Sequence, residues 1–378
     1  MKLFIMVALL LVVSLEASKV AENQTCKACH PKIYKEYTTS MHSKASIYRD
    51  VVHKAIWDKH PLKKKDNYKC GKCHTPSDKE LVANNGKLKE NYTQKNEPIS
   101  CQHCHKIESI EKHKFANKNV LTSKDKTFFS ADSERKGQKV EFKEESSFFG
   151  LFTKTVGSPY HDIDYSNEGY YTGDVCMGCH SHKQNSKDFT ICDLEVKKGD
   201  SKDTCISCHM PKVQGTVANQ KMTKTHNFHG ATAIVSNPSK LSKYIKLSLD
   251  KNDKGFNISL KNMANHTLVP HPLRLAKLKV SIIRDSKTIE LKDEIFVNVI
   301  GTDGKPSFPW LADEIIKDSS IKAFETRVVK YDTALKSGDE VVVEFGYHIV
   351  NPKIAKKLNI TDDMIKKFTL LKKEKFGI

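Results

Sequence analysis

Residues 26–30 read CKACH, and the pattern returns as CGKCH at 70–74, CQHCH at 101–105, CMGCH at 176–180 and CISCH at 205–209. Ten of the 11 cysteines thus form the pairs Cys26/Cys29, Cys70/Cys73, Cys101/Cys104, Cys176/Cys179 and Cys205/Cys208. Each pair is followed at once by a histidine: His30, His74, His105, His180 and His209. Given the 17 histidines in 378 residues, five such adjacencies have chance odds of roughly 2 × 10⁻⁷.

Cysteines three positions apart share one face of a helical turn, and the next residue lies beside them. One turn can therefore offer two thiols to the edge of a flat macrocycle and an imidazole to the metal at its centre. This is the attachment signature of c-type haem, for which histidine is a common axial ligand. Zinc ribbons do not need a histidine after every pair. A redox-active pair normally occurs once, near a βαβ pattern, and a disulfide framework leaves the histidines without a role. The sequence therefore predicts five covalently attached haem c groups.

Residues 1–18 have the form of a cleaved secretory signal: Lys2, an apolar run from 3 to 13, then small residues at Ala17 and Ser18. Export predicts a periplasmic location, which suits haem attachment after the apoprotein has crossed the membrane. The motifs end at His209, leaving roughly 37 residues per haem, so the cofactors themselves are expected to form much of the core. Residues 19–232 are read as a mainly α-helical and irregular pentahaem domain. The gap between His105 and Cys176 holds two aromatic clusters, Phe128/Phe129 and Phe148/Phe149 with Phe152. A hairpin packed over haem edges is the expected role, with a partner or quinol contact as the alternative.

After His229 no cysteine follows, and β-branched runs at 256–260, 278–283, 295–300, 324–330 and 341–350 are separated by turn signals. Residues 233–378 therefore read as an antiparallel β-sandwich-like domain. A closing C-terminal helix is expected over 362–375, with Met364, Ile365, Phe368 and Leu371 on one face. The leftover Cys192 is read as a small buried residue.

Twelve histidines stand outside the motifs, more than five irons need. Filling both axial positions favours reversible electron transfer, whereas an empty distal position admits small-molecule chemistry. The residues alone do not assign the pairs.

The segment CKACHPKIYKEYTTSMHSKA at 26–45, followed by CGKCH and ISCQHCH, resembles the opening of the multihaem cytochrome c-554 family. Tyr37 stands where that family usually has tryptophan. The resemblance implies that His42 is the distal ligand of a later haem and that His113 caps the first. It also implies an open iron at the haem on His74. The texts SPYHDIDYSN, CMGCHSHKQN, CISCHMP, THNFHGA and NHTLVPHPLR look like larger multihaem cytochromes related to hydroxylamine oxidoreductase and octahaem tetrathionate reductase. That likeness implicates His161 and His226 as distal ligands, with His229 and His53 as candidates for the remaining position. His266 and His271 are expected to serve packing or loop hydrogen bonding, with one of them reaching across to cover a haem edge as the alternative.

The net charge is +18, part of which haem propionates would offset. A basic surface favours acidic redox partners, such as other cytochromes or a membrane quinol dehydrogenase, and peripheral association with an anionic membrane. No nucleic-acid motif is present. The expected function is electron transfer between respiratory redox partners in anaerobic respiration. The alternative is an oxidoreductase whose one open iron acts on a small nitrogen or sulfur compound. No Cys-x-x-Cys-Lys motif of the nitrite reductase type occurs.

Overall fold

The computed structural model describes residues 22–89, 92, 97–147, 152–197, 203–219 and 223–378. The leader expected at 1–18 and the Phe148/Phe149 pair lie outside the described residues.

Up to residue 232 the chain is built from single helical turns and short hairpins. The turns that carry the motifs are Asn23–Lys27, Gly71–His74, Cys101–His105, Met177–His180 and Cys205–His209. Several begin where the sequence supplies a cap. Ser100 accepts from the His103 amide at 3.0 Å, and Thr204 forms a reciprocal capping box with Ser207. Asp50 caps the nine-residue helix Val51–Lys59 by accepting from the Val52 and His53 amides. Pro31, pre-set for the first helical position, starts Pro31–Thr39 directly after His30.

Hairpins pair Ile107–Glu111 with Lys118–Leu121, Lys143–Ser147 with Phe152–Val156, His182–Gln184 with Thr190–Asp193, and Lys212–Gln214 with Thr225–Asn227. The aromatic segment Thr127–Phe129 runs parallel to Asp162–Asp164. Phe128 packs against the His161 ring and Phe129 against Tyr170. Side chains themselves supply little core here. Among the described residues, the one apolar cluster wholly within this half is built on Ile47, Trp57, Tyr68 and Leu81.

The second half is β-rich. Strands β1 (Ile245–Asn252) and β2 (Gly255–Asn262) form one antiparallel sheet with β9 (Thr326–Tyr331). A second sheet runs β4 (Lys287–Glu290), β3 (Leu275–Arg284), β10 (Glu340–His348), β11 (Phe368–Gly377), with β5 (Glu294–Phe296) also on β3. A small third sheet orders β7 (Lys305–Pro306), β6 (Asn298–Thr302) and β8 (Glu314–Asp318). Strands alternate inward and outward residues, so Ile258, Leu260, Leu278, Val280, Ile282, Val343 and Phe345 meet in a single cluster between the two large sheets.

Two expectations change here. The run at 295–300 is not one strand: it breaks at Val297, where the amide donates to Ser319 Oγ and the carbonyl accepts from the Ser319 amide. The chain thereby leaves the β3 sheet for the small one. The helix expected over 362–375 is one turn, Asp363–Lys366, followed by the ten-residue strand β11. β10 would otherwise have an open edge, and pairing along its length satisfies those backbone groups. Lys373 and Lys375 reach Glu344 and Glu340 across the pair at 2.8 Å, while Leu371 enters the core. A bulge at Phe345/Gly346 accommodates the register shift, and a Cβ at Gly346 would meet the Thr369 carbonyl at 2.3 Å.

The two halves touch through named contacts. Val52, Ala55 and Ile56 of the helix Val51–Lys59 pack against Val350, Ala355 and Leu358. Asn185 donates to the carbonyls of Ala312 at 2.6 Å and Pro309 at 2.9 Å. The Thr267 hydroxyl donates to Glu195 at 2.6 Å.

Candidate haem centres

Each motif closes one turn on itself: the His30 amide bonds the Cys26 carbonyl at 2.8 Å, and that of His74 bonds Cys70 at 3.0 Å. Both thiols and the imidazole of a motif are thus carried by one short rigid element. The ten motif cysteines line one continuous cavity of about 4250 Å³. An ordinary ligand pocket is roughly 300–1,000 Å³, so the space suits several large flat groups rather than one. Among the described residues no group of three or more His, Cys, Asp or Glu side chains could hold a metal ion by itself.

The imidazoles are oriented from behind. Nδ1 of His30, His74, His105 and His209 lies 2.8, 3.0, 2.8 and 2.6 Å from the carbonyls of Val217, Ala45, Phe129 and Thr232. A carbonyl accepts only from an N–H, so the proton sits on Nδ1 and the Nε2 lone pair faces the cavity, the arrangement a ligating histidine needs. Burial, reinforced by neighbouring imidazoles, pushes His180 down to about 4 and His74 and His229 to about 3. Desolvation keeps these rings neutral and able to bind metal.

Four motif histidines face a second imidazole across the cavity. Ring centres are 6.3 Å apart for His30 and His161, 6.2 Å for His105 and His229, 6.0 Å for His42 and His180, and 6.2 Å for His209 and His266. With a metal–nitrogen bond of about 2 Å and a ring centre set back roughly 1 Å, two imidazoles flanking a metal put their centres about 6 Å apart. The residues therefore fit a metal between each pair. His229 and His266 also donate from Nδ1, to the carbonyls of Asn227 at 2.7 Å and Thr267 at 3.0 Å.

His74 differs. Its neighbour His53 is only 4.0 Å away between ring centres, and both Nδ1 atoms contact the same Ala45 carbonyl, at 2.9 Å from His53 and 3.0 Å from His74. That sharing holds the two Nδ1 atoms within about 6 Å, whereas imidazoles flanking a metal would separate them by about 8 Å. Tyr68 hydroxyl lies 3.3 Å from His53 Nε2. His53 is therefore a buttress beside His74, not its opposite number.

Two expected distal ligands are placed elsewhere. His113 Nδ1 accepts from the Phe115 amide at 3.3 Å, which puts the proton on Nε2, and His161 occupies the position opposite His30 that the resemblance had assigned to His113. His226 uses both nitrogens, Nδ1 with the Gly215 carbonyl at 3.0 Å and Nε2 with Glu36 Oε1 at 2.8 Å. The residue that sequence reasoning missed is His266, which lies far from any motif along the chain. Its sole sequence signal was a histidine in NHTLVPHPLR.

Neighbouring motifs also touch. Cys26 and Cys101, Cys73 and Cys179, and Cys176 and Cys205 lie near enough for each thiol to perturb the other. Cys104 is electrostatically felt at Cys176 and Cys179. The first motif thus abuts the third, the third approaches the fourth, and the fourth abuts both the second and the fifth.

Against known proteins, residues 25–106 match the family described as Cytochrome c554 and c-prime. No curated protein matches the chain. Among solved structures the fold is similar to that of a penta-heme cytochrome c552 from Thermochromatium tepidum, at 20% identity and a TM-score of 0.70, covering 94% of this chain and 99% of that one. The five motifs and the family match together support covalently bound haem c, and the fold over nearly the full length is similar to that of the penta-heme structure.

Proposed function

We propose that this chain is an exported pentahaem c-type cytochrome that passes electrons between respiratory redox partners. The observation that carries the reading is the set of four imidazole pairs at 6.0–6.3 Å, each joining a motif histidine to one remote in sequence. Haem c, when bound, supplies reversible one-electron chemistry at its iron.

The chain's own residues do the rest. Paired imidazoles would fill both axial positions at four sites and leave small molecules no vacancy there. Backbone carbonyls at Val217, Phe129 and Thr232 fix the tautomer and hold the rings still. The nearness of cysteines from different motifs favours close approach of successive macrocycles in the order one, three, four, with two and five on either side. Residues 1–18 support export to a periplasm, and the net charge of +18 supports an acidic redox partner. No helix among the described residues is long and apolar enough to cross a membrane.

An anaerobic reductive titration tests the reading. Five electrons per chain, taken up reversibly with the spectral change of low-spin haem, are expected. Uptake of fewer than five, or a spectrum dominated by high-spin haem, would contradict it. A second reading, an oxidoreductase with one open iron, is favoured at a single place by the 4.0 Å approach of His53 to His74.

A further inference from the structure

The hairpin that pairs Ile107–Glu111 with Lys118–Leu121 follows the third motif directly, and it packs on the turn that carries the fourth. Asn117 Nδ2 donates to the Met177 carbonyl at 3.2 Å. From the segment just before the fourth motif, Asn167 Nδ2 donates to the Glu108 carbonyl at 2.9 Å. The Tyr170 hydroxyl contacts the Cys104 carbonyl at 2.6 Å and the Ile107 carbonyl at 3.1 Å. The hairpin is therefore tied to both motifs.

Asn119, opposite Ile110 in this hairpin, reaches both motifs at once. Its Nδ2 lies 3.2 Å from Nε2 of His103, which stands between the two cysteines of the third motif, and 3.6 Å from Sγ of Cys179 in the fourth. A carboxamide nitrogen carries two N–H donors, and here each has an acceptor. The nitrogen only donates, so the His103 nitrogen facing it bears the lone pair. A sulfur in thioether linkage has no proton to give, so Cys179 can only be the acceptor of its pair once haem is attached. Asn119 Oδ1 is buried without a partner, so the hydrogen bonding of this amide runs through Nδ2. Gly178 makes the close fit possible. A Cβ there would collide with Asn119 Oδ1 and come within 2.7 Å of its Cγ and 3.1 Å of Ile110 Cδ1.

We propose that Asn119 is a hydrogen-bond bridge between the third and fourth haem centres, and that its donation to the Cys179 sulfur raises the potential of the fourth. Second-shell hydrogen bonding is one of the levers by which a protein sets a haem potential. A donor at the sulfur draws electron density from the macrocycle and favours its reduced state. One electron then runs from the third centre, which is oxidised, to the fourth, which is reduced, and both amide protons stay on Asn119. The inference rests on the electron-transfer reading of the motifs and adds a direction to one of its steps.

An EPR-monitored redox titration of the haem-loaded protein tests it, with the fourth haem identified as the low-spin signal lost in His42→Ala. Asn119→Leu should lower the ratio of reduced to oxidised fourth haem about threefold at a fixed potential, the worth of one modest hydrogen bond. The other signals should stay in place. Gly178→Ala, which keeps the asparagine but displaces its amide, should give the same shift. Asn119→Gln, which keeps a donor, should restore most of the wild-type ratio. An unmoved fourth haem in Asn119→Leu would overturn the proposal. So would equal shifts at every haem, which general loosening of the packing would produce. If Asn119→Leu fails to load five haems, Gly178→Ala carries the test, and an unmoved fourth haem there overturns the proposal likewise. These failures leave five-electron uptake by the wild type intact, whereas uptake of fewer than five would strike the electron-transfer reading itself.

Discussion

The imidazoles of His209 and His266 lie 6.2 Å apart between ring centres and 29° from coplanar, although one closes the last Cys-x-x-Cys-His motif and the other sits between β2 and β3. Each ring is held from behind by a carbonyl, Thr232 for His209 and Thr267 for His266. The β-rich half thus brings an imidazole opposite the last motif histidine.

His266→Ala should therefore turn one low-spin haem high-spin while the mass still carries five haems, because both thioether cysteines of that motif remain. EPR of the ferric protein reads the change. An unaltered low-spin count would remove His266 from the ligand set.

Gly173 has φ +84°, and a Cβ there would meet Cys205 Cβ at 2.6 Å and its Sγ at 3.2 Å. Alanine is strained in that backbone region and also pushes on an attachment cysteine. Gly173→Ala should raise the fraction of purified chains carrying four haems, with the loss mapped by peptide mass to 205–209. Full occupancy at that motif would show the contact to be slack.

Glu36 and His226 form a buried pair at 2.8 Å, with His226 side chain 1% exposed. The second Glu36 oxygen accepts from the His229 amide at 3.0 Å. His226→Ala leaves that carboxylate without its main partner and should cost about 3 kcal/mol. Thermal or denaturant unfolding measures this. The spin-state count should stay as in the wild type, which separates a supporting role from ligation.

Asp339 receives Arg284 Nε at 2.8 Å and Nη2 at 2.6 Å and the Lys336 amide at 2.8 Å. These bonds, the arginine's first, hold its carboxyl down at about 2. Between that value and the ordinary carboxylate range near 4, the unfolded chain binds the proton and the folded chain does not. The contribution is thus complete above pH 4 and disappears as the pH falls toward 2. Asp339→Asn should flatten that acid limb of the stability profile, seen by circular dichroism of the β-rich half. An acid limb identical to the wild type would assign the sensitivity to other carboxylates.

What the sequence made legible was whatever chemistry ties to fixed local spacing. Two thioethers and an axial imidazole must come from one turn, so Cys26 to His30 and its four repeats could be read directly. Distal partners obey no such spacing, because a fold may bring any imidazole across the cavity. His161, His229 and His266 meet their partners 131, 124 and 57 residues away in sequence. His226 looked equally suitable until Glu36, 190 positions earlier, claimed its second nitrogen. The C-terminal segment shows the same limit for secondary structure. Apolar residues at 364, 365, 368 and 371 suit a helical face, but the open edge of β10 recruits 368–377 as a strand, and tertiary pairing outweighs local propensity.

The intact mass of mature protein produced with a working maturation system decides whether the five motifs carry haem covalently. Polypeptide plus five haem c, all retained under denaturing conditions, is the predicted result. A mass equal to bare polypeptide, or haem released on denaturation, would rule out thioether attachment at the motifs.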